Sequence, residues 1–306
     1  MKRLNRVLVL CVLFVVCSVC EAGPQVLVDG ITVGSAYPNL AYGVLTFAKL
    51  GELPEGVLLK AGSVKMTIED VQRSIGAQPA QFHEELNKNA FFVLEQESGG
   101  KLLLSEAKKG IKSGNGKADS AVINDYIAGL TQNVTVSDED IQRFYKENET
   151  MFCYTPFEKV KEQIRQYVLA EKKQQVVTEH IKTIGQRMDI VVCPGWVKEQ
   201  AVQAKDNALG RAVGNGKVTL AVFGAASCCG PDKMVPVLDS LNKKYAQKLN
   251  VIYLDARKEQ ILAARYAVHS VPTQVFWDKS GSEFFRHSGF FSEKEIADKL
   301  TAVGIQ

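Results

Sequence analysis

Two hydrophobic rhythms divide the chain. From about residue 68 to residue 185, apolar side chains recur every three to four positions, the period of an amphipathic helix. Beyond residue 217 they come as short continuous runs with helical stretches between them. The first rhythm is introduced by "VLLKAGSVKMTIEDVQRSI", which predicts a strand, a turn at Gly62, a second strand and a helix. Thr67 followed by Asp70 has the pattern of a capping box with the shorter acid, so that helix should begin near Ile68. Phe82, Leu86, Phe91 and Leu94 then fall on one helical period, as do Leu103, Ala107 and Ile111. "KSGNGKADS" (112–120) is a loop by composition, and Ala121–Thr131 is a further helix. Ser137, followed by three acids, predicts an N-cap, with Ile141, Phe144 and Tyr145 on the apolar face beyond it. Pro156 suits the first turn of a long helix striped by Val160, Ile164, Val168, Val177, Ile181 and Ile184, and Gly185 is its expected end.

"MDIVV" (188–192) reads as a strand, and Cys193-Pro194-Gly195 breaks the pattern, marking a domain boundary. Trp196–Ala212 is a predicted linker helix and "GNGK" a turn. The text then alternates: strand "VTLAVFGA", helix Met234–Tyr245, strand "LNVIYLDA", helix Ile261–Tyr266, strand "TQVFWDKSG", strand "EFFRHSGF", helix Glu293–Val303. Such alternation predicts an α/β layered domain. Residues 23–55 are apolar and Gly/Pro-punctuated without a clear period, and predict an extended lead-in with a short helix at Ala41–Leu50. The expected organisation is α+β and multidomain: a leader (1–22), the lead-in (23–55), a helical domain (56–193), a linker helix (194–216) and an α/β domain (217–306).

Composition adds an address. Lys2, Arg3 and Arg6 precede a 13-residue apolar run, Val7–Val19. That is short of the roughly 20 residues a membrane span needs and suits a secretory signal peptide. Small-residue spacing places cleavage after Ala22; an uncleaved anchor, or a lipid on Cys20, is the alternative. The expected location is therefore periplasmic or secreted. A net charge of +3 on 306 residues, spread evenly, argues against nucleic acid as a partner.

Cys11, Cys17 and Cys20 leave with the leader, so the mature chain keeps Cys153, Cys193, Cys228 and Cys229. Four are too few for a disulfide scaffold, and no Cys/His spacing matches a metal site, so neither metal nor cofactor is expected. Pairing Cys153 with Cys193 is disfavoured, because the helix between them separates its ends by about 45 Å at about 1.5 Å per residue.

Residues 217–306 resemble a thioredoxin-fold domain. "FGAASC" at a strand end and "YAVHSVPTQVFWDKSG" carry the resemblance, with "FFRHSGF" resembling the last edge strand. It implies a cis peptide at Val271-Pro272, lying with Thr273 beside the redox cysteine and shaping a substrate groove. It also implies that Cys228 opens a helix, where free N–H groups and the helix dipole stabilise a thiolate.

The chain departs from the family where chemistry matters. There is no C-x-x-C: counting back eight residues from Pro236 puts the first cysteine at Cys228, Cys229 in the spacer and Pro231 in place of the second cysteine. A rival register takes Cys229-Gly230-Pro231-Asp232 as the motif, with Asp in last place. The family's buried acid is Val222 here, and its tryptophan is Ser227. A disulfide between Cys228 and Cys229 would be strained, since adjacent Cα atoms are about 3.8 Å apart and disulfides want about 4.4–6.8 Å. Monothiol exchange, with Cys229, Cys153, Cys193 or an outside thiol resolving, is the more comfortable chemistry.

Residues 57–192 resemble the N-terminal chaperone domain of SurA-type periplasmic prolyl isomerases, through "VLLKAGSVKMTIEDV", "KLLLSEAKKGI" and "VTVSDEDIQRFYKENETMF" followed by "TPFEKVKEQIRQYVLAEKKQQ". Only two residues, Cys153 and Tyr154, separate the last two, so the isomerase domain is missing and its chemistry is not implied. Together the two resemblances imply an exported thiol–disulfide oxidoreductase or isomerase with a holding domain. Its expected partners are unfolded or cysteine-containing exported proteins, with a membrane electron donor as a further candidate. A non-catalytic chaperone or adaptor, and a redox sensor, remain open alternatives.

Overall fold

The structure, a computed structural model, describes residues 30–109, 117–225 and 234–305. The leader, with Cys11, Cys17 and Cys20, lies outside the described residues, as do Ile111, most of the predicted loop, and Cys228 and Cys229.

Residues 30–50 are not the extended lead-in that their lack of periodicity predicts. They form a short helix α1 (Val33–Ala36), a 3-10 turn at Val44–Phe47 and a short strand β1 (Lys49–Leu50). Val33, Val44, Leu45 and Ala48 are fully buried in the first hydrophobic core. The reason is tertiary: the Glu95 carboxylate, itself buried, accepts hydrogen bonds from the backbone N–H groups of Tyr42, Gly43 and Leu45 at 3.1, 2.9 and 3.1 Å. A distant side chain thus satisfies donors that no local helix or strand could satisfy.

Strands β2 (Val57–Ala61) and β3 (Val64–Thr67) form the predicted hairpin around Gly62, whose φ of +56° suits the tight turn. Helix α2 (Ile68–Gly76) starts where the capping box placed it, with Thr67 Oγ1 accepting from the Asp70 amide and the Asp70 carboxylate accepting from the Thr67 amide. Helices α3 (His83–Lys88), α4 (Ala90–Lys109), α5 (Asp119–Thr131) and α6 (Asp138–Glu147) follow. A 3-10 turn at Glu149–Phe152 leads into α7 (Phe157–Arg187), which runs past Gly185. Strand β4 (Ile190–Val192) closes a small sheet of order β1-β4-β2-β3.

The predicted linker helix is two helices, α8 (Pro194–Gln203) and α9 (Ala208–Ala212), with Asn207 capping the second by accepting from the Gly210 amide. It does not bridge open space: Val197, Ala201 and Ala204 belong to the first core, and Leu209 to a core of the C-terminal domain.

The C-terminal domain alternates as predicted. It comprises β5 (Val218–Gly224), α10 (Met234–Tyr245), β6 (Leu249–Asp255), α11 (Gln260–Arg265), β7 (Thr273–Trp277), β8 (Glu283–Ser288) and α12 (Glu293–Ala302). Its sheet has the order β6-β5-β7-β8, with β5 and β6 parallel and the other pairs antiparallel. β5 and β7 are buried along their whole length, which is why they read as continuous apolar runs rather than alternating ones. Leu238 and Leu241 of α10 pack with Ile296 and Leu300 of α12 on one face of the sheet, and Leu262 of α11 with Leu209 of α9 on the other.

The two domains are joined by polar anchors. Arg265, 5% exposed, donates to Ala204 O at 2.6 Å, Asn89 Oδ1 at 3.3 Å and Asn39 O at 3.3 Å. The Asn39 side chain donates to Gly281 O and accepts from Trp277 Nε1 and the Tyr42 hydroxyl. Burial raises the Tyr266 phenol and pushes the Tyr42 phenol well above its ordinary value, so Tyr42 stays protonated and able to donate.

Candidate functional site

Pairing of β5 with β7 sets Phe223 opposite Thr273, so the C-terminal end of β5 lies next to the start of β7. The residue just before β7 is Pro272, and the Val271–Pro272 peptide is cis. Pro272 O accepts from the Gly289 amide at 2.8 Å. Thr273 is buried, and its hydroxyl donates to Ser270 O at 2.6 Å. Val271 and Pro272 are half-buried. The three residues expected to shape a groove therefore stand together, beside the strand end that leads into residues 225–233. Cys228 and Cys229 belong to that stretch of sequence and lie outside the described residues.

Val222, in the family's acid position, is fully buried, and its neighbour across the ladder is Gln274. Gln274 is also fully buried; its amide donates to Gly289 O at 3.0 Å while its Oε1 has no hydrogen-bond partner. A carboxamide does not ionise, so the polar group beside Val222 supplies no proton at neutral pH.

Helix α7 lies across the cis-proline end of the sheet. Between them runs a groove of about 610 Å3, whose walls include Glu171, Lys172 and Lys182 from α7 and His269, Thr273 and Arg286 from the C-terminal domain. The Arg286 guanidinium is fixed by a two-point ion pair to Glu283, both contacts at 2.8 Å, and by donation to Tyr266 O. Burial, and then the neighbouring Glu171, push the Tyr167 phenol up to about 12, so it remains a neutral donor to Glu171 at 3.2 Å. Ser270, in the loop before the cis proline, lines the same groove. At the end of α6, the Glu147 side chain packs against Gly289. These contacts are invisible in the sequence, where Tyr167 and Glu147 are ordinary residues of amphipathic helices.

The remaining cysteines separate. Cys193 is buried and free, whereas exposed Cys153 is disulfide-bonded, so the two are not joined to each other. Burial of Cys193 also removes it as a resolving thiol. Among the described residues no group of His, Cys, Asp and Glu side chains is arranged to hold a metal ion, and no helix is long and apolar enough to cross a membrane.

A family profile described as a thioredoxin-like domain matches residues 205–304. The thioredoxin of Staphylococcus aureus, in strains N315 and MW2 alike, is 36% identical over 76 residues, 24% of this chain and 72% of that protein. The chain belongs to the thioredoxin-like family. Among solved structures, the thioredoxin-like domain overlaps a mutant thioredoxin from Halobacterium salinarum at 27% identity and a TM-score of 0.28, over 31% of this chain and 81% of that one. Fasciola hepatica thioredoxin overlaps at 26% identity and a TM-score of 0.26, over 29% and 84%. The helical domain lies almost wholly outside the matched residues.

Proposed function

We propose that this protein is an exported thiol–disulfide oxidoreductase or isomerase of monothiol type, its thioredoxin-like domain acting on cysteines of protein substrates held by a SurA-like helical domain. Cys228 is the nucleophile and Cys229 its modulator or resolver, while Val271, Pro272 and Thr273 bind the substrate backbone. The observation that carries this reading is the register of β5 on β7, which sets the cis proline beside the strand end leading to the cysteine pair. Export rests on the basic and apolar leader in the sequence.

The chemistry is disulfide exchange. The Cys228 thiolate attacks one sulfur of a substrate disulfide, forming a mixed disulfide and releasing the other substrate sulfur as a thiolate. A resolving thiol then attacks the Cys228 sulfur, forming a disulfide with it and releasing the substrate sulfur as a thiolate; alternatively, a thiolate of the substrate attacks the substrate sulfur of the mixed disulfide and releases the Cys228 thiolate. The second route is isomerisation, with no net electron transfer. The groove beside α7 gives a bound chain a path past the cis proline, and holding the chain there raises the local concentration of its cysteines.

The test is refolding of a scrambled-disulfide substrate. Wild type should accelerate it, Cys228→Ser should abolish the effect, and Cys229→Ser should accumulate mixed disulfides that Cys228→Ser lacks. A Cys228→Ser protein with full refolding activity that still suppresses aggregation would leave a non-catalytic chaperone.

A further inference from the structure

We infer that the joint between the two domains binds a small oxyanion, of the inorganic phosphate or sulfate kind, with the Arg265 guanidinium as its principal ligand. The site does not depend on the proposed thiol exchange.

The first support is an uncompensated charge. Arg265, at the end of α11, is buried. Its hydrogen-bond acceptors are all neutral: Ala204 O, Asn89 Oδ1 and Asn39 O. The guanidinium carbon stands 5.0 Å from the centre of the Tyr266 ring, whose phenol is kept neutral by burial. None of its hydrogen bonds goes to a carboxylate. A buried ion ordinarily has a counter-charge, because taking it out of water without one is costly.

The second support is an unused donor. The two terminal nitrogens of Arg265 are anchored by those three bonds, but its Nε is buried and has no hydrogen-bond partner. A buried N–H without an acceptor forfeits its hydration and gains nothing in return. A guanidinium held by one edge, with Nε free, is prepared to bind an oxygen of an anion, the geometry in which charge-assisted hydrogen bonds are strongest.

The third support is space of the right sign. Arg265 lines a pocket of about 120 Å3. One water needs about 10–15 Å3 of such space, so an ion of several atoms fits. Gly210, Gly214 and Gly281 form part of the wall and bring no side chain to fill it. Lys205, which is exposed, is the other cation of the wall, and no Asp or Glu lines the pocket. The acids that flank the wall in sequence are engaged elsewhere. Asp206 pairs with Arg211 at 2.9 Å, and Asp278 accepts from the amides of Ser280 and Ser282 at 2.8 and 3.0 Å.

The pocket is built from both domains. Asn39 and Ala204, which hold Arg265, belong to the helical part, and Tyr266 and Gly281 to the thioredoxin-like domain. An anion bound there meets both at once, so it stabilises the docked arrangement by mass action. Its size is set by the space. A pocket of about 120 Å3 is well below the about 300–1,000 Å3 of sites that enclose larger organic ligands, so the occupant is the free ion rather than an ester of it.

The test is isothermal titration of the whole protein with sodium phosphate and with sodium sulfate, in chloride buffer at constant ionic strength. Saturable one-to-one binding with a Kd of about 1 mM or tighter is expected, and heats that do not saturate overturn the inference. In scanning calorimetry, phosphate should raise the melting temperature more than sodium chloride of equal ionic strength. An equal rise is screening alone and overturns it. Phenyl phosphate should bind about 10-fold more weakly than phosphate, and equal or tighter binding overturns the assignment to a free ion. Arg265 itself is a poor probe, since its removal loosens the joint. Lys205→Glu changes an exposed position, and circular dichroism checks that the fold is kept. The introduced carboxylate competes for Arg265, so phosphate affinity should fall about 10-fold or more; an unchanged affinity puts the ion elsewhere and overturns the site.

Discussion

Gly185 offers a test in which two physical effects predict opposite signs. It lies in the last turn of α7, where replacing glycine by alanine ordinarily stabilises a helix by up to about 1 kcal/mol. A Cβ placed there would run into the Val44 backbone: it would overlap the carbonyl oxygen, with the carbonyl carbon at 3.1 Å and Cα at 3.2 Å. That backbone cannot retreat cheaply, since Val44 and Leu45 are fully buried and the Leu45 amide is held by Glu95. Overpacking of this kind costs about 1–3 kcal/mol, and a contact with backbone belongs at the upper end. Gly185→Ala should therefore destabilise by about 1–2 kcal/mol net. Gly100, exposed on α4 with nothing within 4 Å of its Cβ direction, is the control, and Gly100→Ala should stabilise by about 0.5–1 kcal/mol. Urea titration followed by circular dichroism reads both: the midpoint should fall for Gly185→Ala and rise for Gly100→Ala, with unchanged slope. A rise for both would refute the close approach of α7 to the 44–47 turn, and with it the seating of the helix that walls the groove.

Arg265→Met should cost about 3–5 kcal/mol, because bonds from a charged donor to three acceptors are lost at once. All three acceptors lie in the helical part, so scanning calorimetry should resolve one melting transition into two, and a single unshifted transition would show that Arg265 does not couple the domains. Glu95→Ala orphans three amides, one buried and two half-buried, and should destabilise by about 2–4 kcal/mol in a urea titration at pH 7. Burial raises the Glu95 carboxyl above its ordinary 4.5, with the three amides only partly offsetting it. The native state therefore holds a proton that the unfolded chain has already lost, and wild-type stability falls as pH rises from about 4.5 through the raised value. The gap between wild type and Glu95→Ala should narrow over that window; a gap that widens would mean the amides outweigh burial.

The elements that could be read from the sequence are those whose causes are local. Thr67 with Asp70, and Ser137 with Asp140, name helix starts because both partners of each capping box lie within one turn. β5 and β7 are visible as apolar runs because a strand buried on both faces has no polar position to alternate. Residues 30–50 were opaque for the opposite reason. Their order depends on Glu95 and on Gly185, more than 40 residues away, and a short segment satisfied by remote partners carries no period. Arg265 carries no signal of its own in the sequence, and only the packing of α11 against residues 39, 89 and 204 makes it a buried joint.

The sequence by itself determined the alternation that makes a thioredoxin-like sheet, the Val271-Pro272-Thr273 motif beside it and the absence of a C-x-x-C, since each is a matter of residue order. Only the tertiary structure decided that Cys193 is shut away, that Cys153 is bonded, and that Glu147 of α6 lies against Gly289, whose amide is bonded to Pro272 O. Proximity between residues 147 and 289 comes from the packing of two domains, and no spacing along a chain encodes it.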